Sequence, residues 1–213
     1  MCGESNTMPI LGEPAPDFEA LTTNGIVKLS DFKGKWLVLF SHPADFTPVC
    51  TTEFIAFSAI ADELKSLNVQ LMGLSIDSVH SHLAWIRNVK EKMGVDIPFP
   101  IIADLDMNVA KKYGMIHPGQ SSTAAIRAVF FIDDKGILRA MIYYPLTAGR
   151  YMPEIIRLVK SLQATDKYGV ATPANWQPGD KVVVPAPKNK AEMDKRLSEG
   201  YECKDWYLCF KKL

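Results

Sequence analysis

The chain has 213 residues, 47% of them hydrophobic and 23% charged, enough to bury one substantial core. Twenty-four Lys and Arg balance 24 Asp and Glu, which excludes the basic footprint of a nucleic-acid binder. No apolar run reaches the length of a membrane span, and Met1-Cys2-Gly3-Glu4-Ser5-Asn6 carries neither the basic nor the apolar region of a secretory signal, so a cytoplasmic protein with no membrane partner is expected.

Residues 9–35 read as a leading segment, with turns at Gly12 to Pro16 and a hairpin signal at Asn24-Gly25. The run Trp36-Leu37-Val38-Leu39-Phe40 is short, bulky and uncharged, as a buried strand should be. Helical spacing follows, with Phe54, Phe57, Ala61, Leu64 and Leu67 on one face. A second buried strand is predicted over Val69 to Ile76. A helix follows from about Ser81 to Met93, started by Asp77 or Ser78, with Leu83, Ile86, Val89 and Met93 on its apolar face. A short strand at Pro98 to Ala103 precedes a helix from Met107 to Tyr113 that Gly114 closes.

The pair Ala128 to Ile132 and Ile137 to Tyr144 reads as a tight antiparallel hairpin turned by Asp133-Asp134-Lys135-Gly136, and Pro153 opens a last core helix, Glu154 to Gln163. This order predicts an α/β protein with a thioredoxin-like fold, a mixed central sheet flanked by helices. From about Thr165 prolines break up the chain, leaving a domain over residues 1–165 and a C-terminal arm over 166–213. Trp176, Trp206, Tyr207 and Phe210 make that arm too apolar for a solvated tail; it packs either on its own domain or on a neighbouring subunit.

The chemistry concentrates where the first buried strand hands over to the first helix. With Thr47 as N-cap and Pro48 as first helical residue, Cys50 falls in the first turn, where unpaired N-H groups and the positive end of the helix dipole favour a thiolate. A helix terminus supplies only ~0.3 to 1 kcal/mol. Making a free thiol mostly thiolate at neutral pH takes about 2.7 kcal/mol, so a cation is expected beside the sulfur. Of the other cysteines, Cys203 and Cys209 sit close together in the arm, and Cys2 is assigned no role. Four cysteines so placed do not make a secreted disulfide scaffold. The gap between Cys203 and Cys209 falls outside zinc-ligand spacing and no matching histidine pair is nearby, so no metal is expected.

Pro43-x-x-x-Thr47-x-x-Cys50, within Ser41 to Phe54, resembles the active-site signature of the peroxiredoxins, thiol peroxidases that use no metal, haem or other cofactor. The longer string is similar to the one-Cys-type subgroup, in particular its archaeal members with a long C-terminal arm. Ala15-Pro16-Asp17-Phe18, Leu29 to Lys35, and Arg127 opening a strand agree in order, and the resemblance covers nearly the whole chain. It implies reduction of hydrogen peroxide and alkyl hydroperoxides with Cys50 as nucleophile, forming a sulfenic acid. Arg127 would hold thiolate and peroxide together, Thr47 would donate its hydroxyl, and Pro43 would shield the thiolate.

Arg150 is the candidate second cation. Glu53 either orients Arg127 or Arg150 or simply favours the helix N-terminus; His42 either donates to bound peroxide or packs under the strand end. The resemblance further implies a dimer or a ring of five dimers, and a thioredoxin-like or other thiol reductant. It carries the resolving role to Cys209 of a partner subunit, with Cys203 as exchange partner. Three alternatives stay open: a local Cys203–Cys209 bridge with an external thiol as resolver, a ring-forming redox-sensitive holdase, and a disulfide oxidoreductase. The last would want Cys-x-x-Cys, where this chain has Thr47.

Overall fold

The computed structural model describes residues 8–213; Cys2 lies outside them. The chain forms two compact units, one ending at Met152 and one from Pro153 to Leu213. In the first, β1 (Glu19–Thr22) and β2 (Gly25–Lys28) make the leading hairpin, with Gly25 at φ 96° where the turn needs a left-handed residue. The core then runs β3 (Trp36–Ser41), α1 (Pro48–Ser66), β4 (Val69–Ser75), α2 (Val79–Met93), β5 (Ile101–Ala103), α3 (Asn108–Lys112), β6 (Arg127–Ile132) and β7 (Leu138–Tyr144). A mixed seven-stranded sheet results, in the order β2-β1-β5-β4-β3-β6-β7. Strands β3, β4 and β5 run parallel, while β6 and β7 return antiparallel. This is the thioredoxin-like α/β arrangement expected from the sequence.

Strand β3 is buried at every residue and lies mid-sheet, so its C-terminal end opens where parallel strands hand over to helices. Ser41 fixes that end: its hydroxyl donates to the Ile126 carbonyl at 2.6 Å and accepts from the Ala128 N-H at 3.0 Å. The β6–β7 turn is held by Asp133, whose carboxylate accepts the N-H groups of Lys135 and Ile137, each at 2.9 Å.

Two helix expectations in this unit need correction. The buried residues of α2 are His82, Trp85 and Val89, whereas Leu83 and Met93 stay about half exposed, so the helix is rotated by one residue from the expected face. Trp85, far larger than Leu83, takes the interior, and His82 follows it in because a carboxylate meets its ring there. Helix α3 is shorter than expected. Asp104 ends the approach to it by accepting the N-H groups of Val109 and Ala110 at 3.0 and 2.7 Å.

The second unit holds α4 (Met152–Tyr168), β8 (Val182–Val183), α5 (Lys190–Arg196), β9 (Glu202–Asp205) and β10 (Leu208–Lys211). Helix α4 runs past the expected Gln163 to Tyr168 and stops before Gly169, which sits at φ 59°. A three-stranded antiparallel sheet forms in the order β8-β10-β9. Trp176 is buried against Val170, Val182 and Ala164 of the same unit, whereas Trp206 and Tyr207 remain exposed.

Candidate active site

Cys50 occupies the third position of α1, behind Thr47 at the N-cap and Pro48 at the first helical residue, and is fully buried. Its place in the first turn is the one the sequence predicts, but the cap works differently. The Thr47 hydroxyl donates to the Ala44 carbonyl at 2.8 Å and makes no cap bond. Extended backbone at Thr47, with its carbonyl accepting the Thr51 N-H at 3.0 Å, is enough to start the helix, so the hydroxyl is spent on the loop. Pro43 and Thr47 are both half-buried, and Phe46 between them adopts φ 54° and stays exposed.

The expected cation is Arg127. Opening β6, the antiparallel neighbour of β3, it puts Nη1 3.3 Å from the Cys50 sulfur and 2.6 Å from Glu53 Oε2, while Nε donates to the Leu146 carbonyl at 2.9 Å. Arg150 stands on the other side of the same carboxylate. Its Nε and Nη2 donate to Glu53 at 2.8 and 2.6 Å, its backbone N-H adds a third bond at 3.0 Å, and Nη1 reaches the carbonyls of Ser41 and Ala128. Glu53 therefore orients both arginines rather than only favouring the helix terminus. Burial pulls the Arg150 guanidinium below its ordinary value, and the charge and hydrogen bonds of Glu53 oppose that pull. The Phe40 and Phe57 rings lie 5.1 and 5.2 Å from its guanidinium carbon. Two cations and one carboxylate leave one positive charge facing a buried sulfur, the balance a thiolate would neutralise.

His42 is buried, and its Nε2 lies 2.9 Å from Asp45 Oδ1. Asp45 also meets His82 Nδ1 at 2.8 Å. Sequence reasoning passed over Asp45 and His82; the signal available was the three-residue step from His42 to Asp45 inside the signature loop.

In the second unit Cys203 and Cys209 face one another across the β9–β10 pair and are joined, with sulfurs 2.04 Å apart. Among the described residues Cys50 is the free cysteine.

A buried cysteine at a strand-to-helix turn, bound by an arginine that opens the antiparallel neighbour of that strand, is matched by known sequences. The AhpC/TSA family matches residues 11–141, and the C-terminal domain of 1-Cys peroxiredoxin matches residues 161–200. The chain belongs to the peroxiredoxin family. A peroxiredoxin of Aquifex aeolicus is 63% identical over 97% of this chain and 98% of its own length. Among solved structures, a yeast mitochondrial 1-Cys peroxiredoxin, described for thiol resolution via glutathione/thioredoxin systems, superposes with a TM-score of 0.86 at 41% identity, covering 97% of this chain and all of that one. A mutant of the peroxiredoxin 6 of Arenicola marina gives the same TM-score at 42% identity, covering 96% and 98%. The chain is thus a thiol peroxidase of the one-Cys type, an oxidoreductase. Among the described residues no helix is long and apolar enough to cross a membrane.

Proposed function

We propose that Cys50, as a thiolate, attacks one oxygen of hydrogen peroxide or a small alkyl hydroperoxide. The S–O bond forms as the O–O bond breaks, and the other oxygen leaves as hydroxide or alkoxide and takes up a proton. The observation that carries this reading is the single Arg127 guanidinium, which donates to the Cys50 sulfur while Glu53 holds it in place. It stabilises the thiolate before attack and stays beside the oxygen on which charge develops. Arg150 holds the Glu53 carboxylate in register with two hydrogen bonds. Pro43 limits water at the sulfur, and the Thr47 hydroxyl, now on Ala44, is the near donor that a bound peroxide would compete for.

The sulfenic acid is then resolved by Cys209 of a partner subunit, whose thiolate forms a disulfide with Cys50 and expels the oxygen as hydroxide, which takes up a proton to become water. Attack by Cys203 on Cys209 frees Cys50 and leaves the Cys203–Cys209 bond, the pairing found in the arm. A thioredoxin-like protein or another thiol reductant restores the dithiol. This reading takes residues 1–165 as the peroxidase domain and 166–213 as the arm of a dimer, assembled into a ring of five dimers in the cytoplasm. A second reading, favoured by the match of residues 161–200 to a 1-Cys C-terminal domain, makes an external thiol the resolver and the Cys203–Cys209 bridge structural.

One equivalent of hydrogen peroxide added to the fully reduced protein, followed by intact mass and a non-reducing gel, separates the readings. A covalent dimer lost in both Cys50→Ser and Cys209→Ser supports resolution between subunits. A monomer that gains only oxygen on Cys50 supports the external thiol. Unchanged protein, or full peroxide consumption by Cys50→Ser, overturns the assignment of Cys50.

A further inference from the structure

Behind the cysteine site four side chains converge from separate elements: His42 at the end of β3, Asp45 in the signature loop, Asp77 in the β4–α2 connection, and His82 in α2. The side chains of His42, Asp45 and His82 are at most 2% exposed. His82 Nε2 lies 3.1 Å from the Ile102 carbonyl, which can only accept, so that nitrogen carries a hydrogen. Its other nitrogen, Nδ1, lies 2.8 and 3.1 Å from the two oxygens of Asp45. A bare ring nitrogen and a carboxylate would repel at that distance, so a proton lies between them. His42 Nε2, 2.9 Å from Asp45 Oδ1, needs a hydrogen by the same reasoning. His42 Nδ1 is then left without a proton, and it has no hydrogen-bond partner.

The loop is tied at the same point through its backbone. The Asp45 N-H donates to Asp77 Oδ2 at 3.1 Å, and the Ser75 hydroxyl donates to that same oxygen at 2.6 Å. Trp85 stacks on the His42 ring at 5.1 Å between centroids and Phe54 meets it edge-on at 4.7 Å, which closes the ring's rotation. Of these residues Asp45 lies between Pro43 and Thr47, so both its side chain and its backbone tie down the signature loop.

We propose that Asp45 and His82 are positioning residues for the peroxidase site: one proton held between them fixes the signature loop and locks His42 as the tautomer with Nε2-H on Asp45 and a bare, accepting Nδ1. The inference rests on the reading of Cys50 as the peroxidatic sulfur. The bare nitrogen is an acceptor for an O-H group, which a hydroperoxide carries and a thiolate does not.

The test uses nitrogen-15 histidine spectra of the reduced full-length protein at neutral pH, which has four histidines to assign, with stopped-flow oxidation by hydrogen peroxide. Expected for the wild type is one buried ring protonated at both nitrogens and a second carrying hydrogen only at Nε2. In Asp45→Asn one acceptor oxygen becomes an NH2 donor and the negative charge is lost, so the side chain can no longer accept from both rings: the extra proton on His82 disappears, the His42 tautomer is no longer fixed, and oxidation slows by about tenfold or more, as when an orienting carboxylate is removed from a working imidazole. His82→Gln, which removes the shared proton while keeping a donor, slows oxidation in the same direction and serves if Asp45→Asn does not fold.

Three results overturn the proposal: a wild-type spectrum in which His82 lacks the Nδ1 proton, folded variants that oxidise at the wild-type rate, or stoichiometric uptake of added zinc that removes the buried N-H signals. Failure of the Cys50 assignment is read separately, from Cys50→Ser, and does not touch the histidine spectrum.

Discussion

Glu53 sets how much positive charge the sulfur faces, because one carboxylate is shared between two buried guanidinium groups. Removing it leaves two like charges without a counterion. Glu53→Ala is expected to lower stability by roughly 3–5 kcal/mol, read as a fall in the urea midpoint, more than the loss of any surface ion pair in the chain. Arg127→Ala removes the charged donor at 3.3 Å. Such bonds contribute about 1.5–3 kcal/mol, so oxidation of Cys50 by peroxide should slow roughly 10- to 100-fold in stopped flow; an unchanged rate would remove Arg127 from the site. A pH prediction also belongs to single residues. Burial lowers the proton affinity of His42 against the pull of Asp45. Burial works to raise the carboxyl of Asp45, but bonds from His42 and His82 prevail and hold it well below the usual range. Below about pH 6.5 the unfolded chain binds a proton at His42 that the folded one does not, so stability falls as pH drops; Asp45 adds the same sign below about pH 4. Urea midpoints should therefore decline as pH falls below about 6, and His42→Asn should make the upper part of that decline shallower. The cluster of Cys50, Glu53, Arg127 and Arg150 was legible because a turn motif and two arginines stand at recognisable places in the sequence. His82 was not, since a histidine one step from a leucine reads as the wet side of a helix until its carboxylate partner is known.

Among the elements, β3, β4 and α1 were legible to within a residue, because a continuous apolar run and a Thr-Pro start are strong local signals. The end of α4 was not: Thr165 and Asp166 look like breakers, yet the turn that stops the helix needs the left-handed Gly169. Where β4 passes under α1, Gly73 has no side chain for a reason of space. A Cβ there would stand 3.1 Å from Phe54 Cζ and 3.5 Å from Phe40 Cζ. The Phe54 ring cannot retreat, being set edge-on or tilted against Phe40, His42, Trp85 and Phe99. Gly73→Ala should cost about 1–3 kcal/mol as overpacking, measured by thermal or urea unfolding. Because Phe54 lies one turn beyond Cys50, the same variant should also slow oxidation; a stable, fully active Gly73→Ala would show that the cluster yields.

Across the whole molecule, the arm keeps its own small core and its own sheet, so neither cysteine chemistry depends on an unstructured tail. The short loop between Cys203 and Cys209 limits what their bond adds: closing so few residues constrains the unfolded chain by only about 2 kcal/mol. Reduction of the arm should therefore shift its unfolding modestly, seen by comparing oxidised and reduced protein in hydrogen exchange. The larger consequence comes from a plain fact of burial: Cys50 and Cys209 both have no exposed surface. A peroxide is small enough to reach a sealed sulfur, whereas a protein thiol must wait for strand or helix to open. On the proposed mechanism the sulfenic acid would then live on a clock set by local opening, and a second peroxide could arrive before the clock runs out. Dose sets the winner of that race. On that mechanism low peroxide would let the cysteine cycle, whereas at high peroxide the same burial that slows its resolution would leave Cys50 to be oxidised past the sulfenic stage.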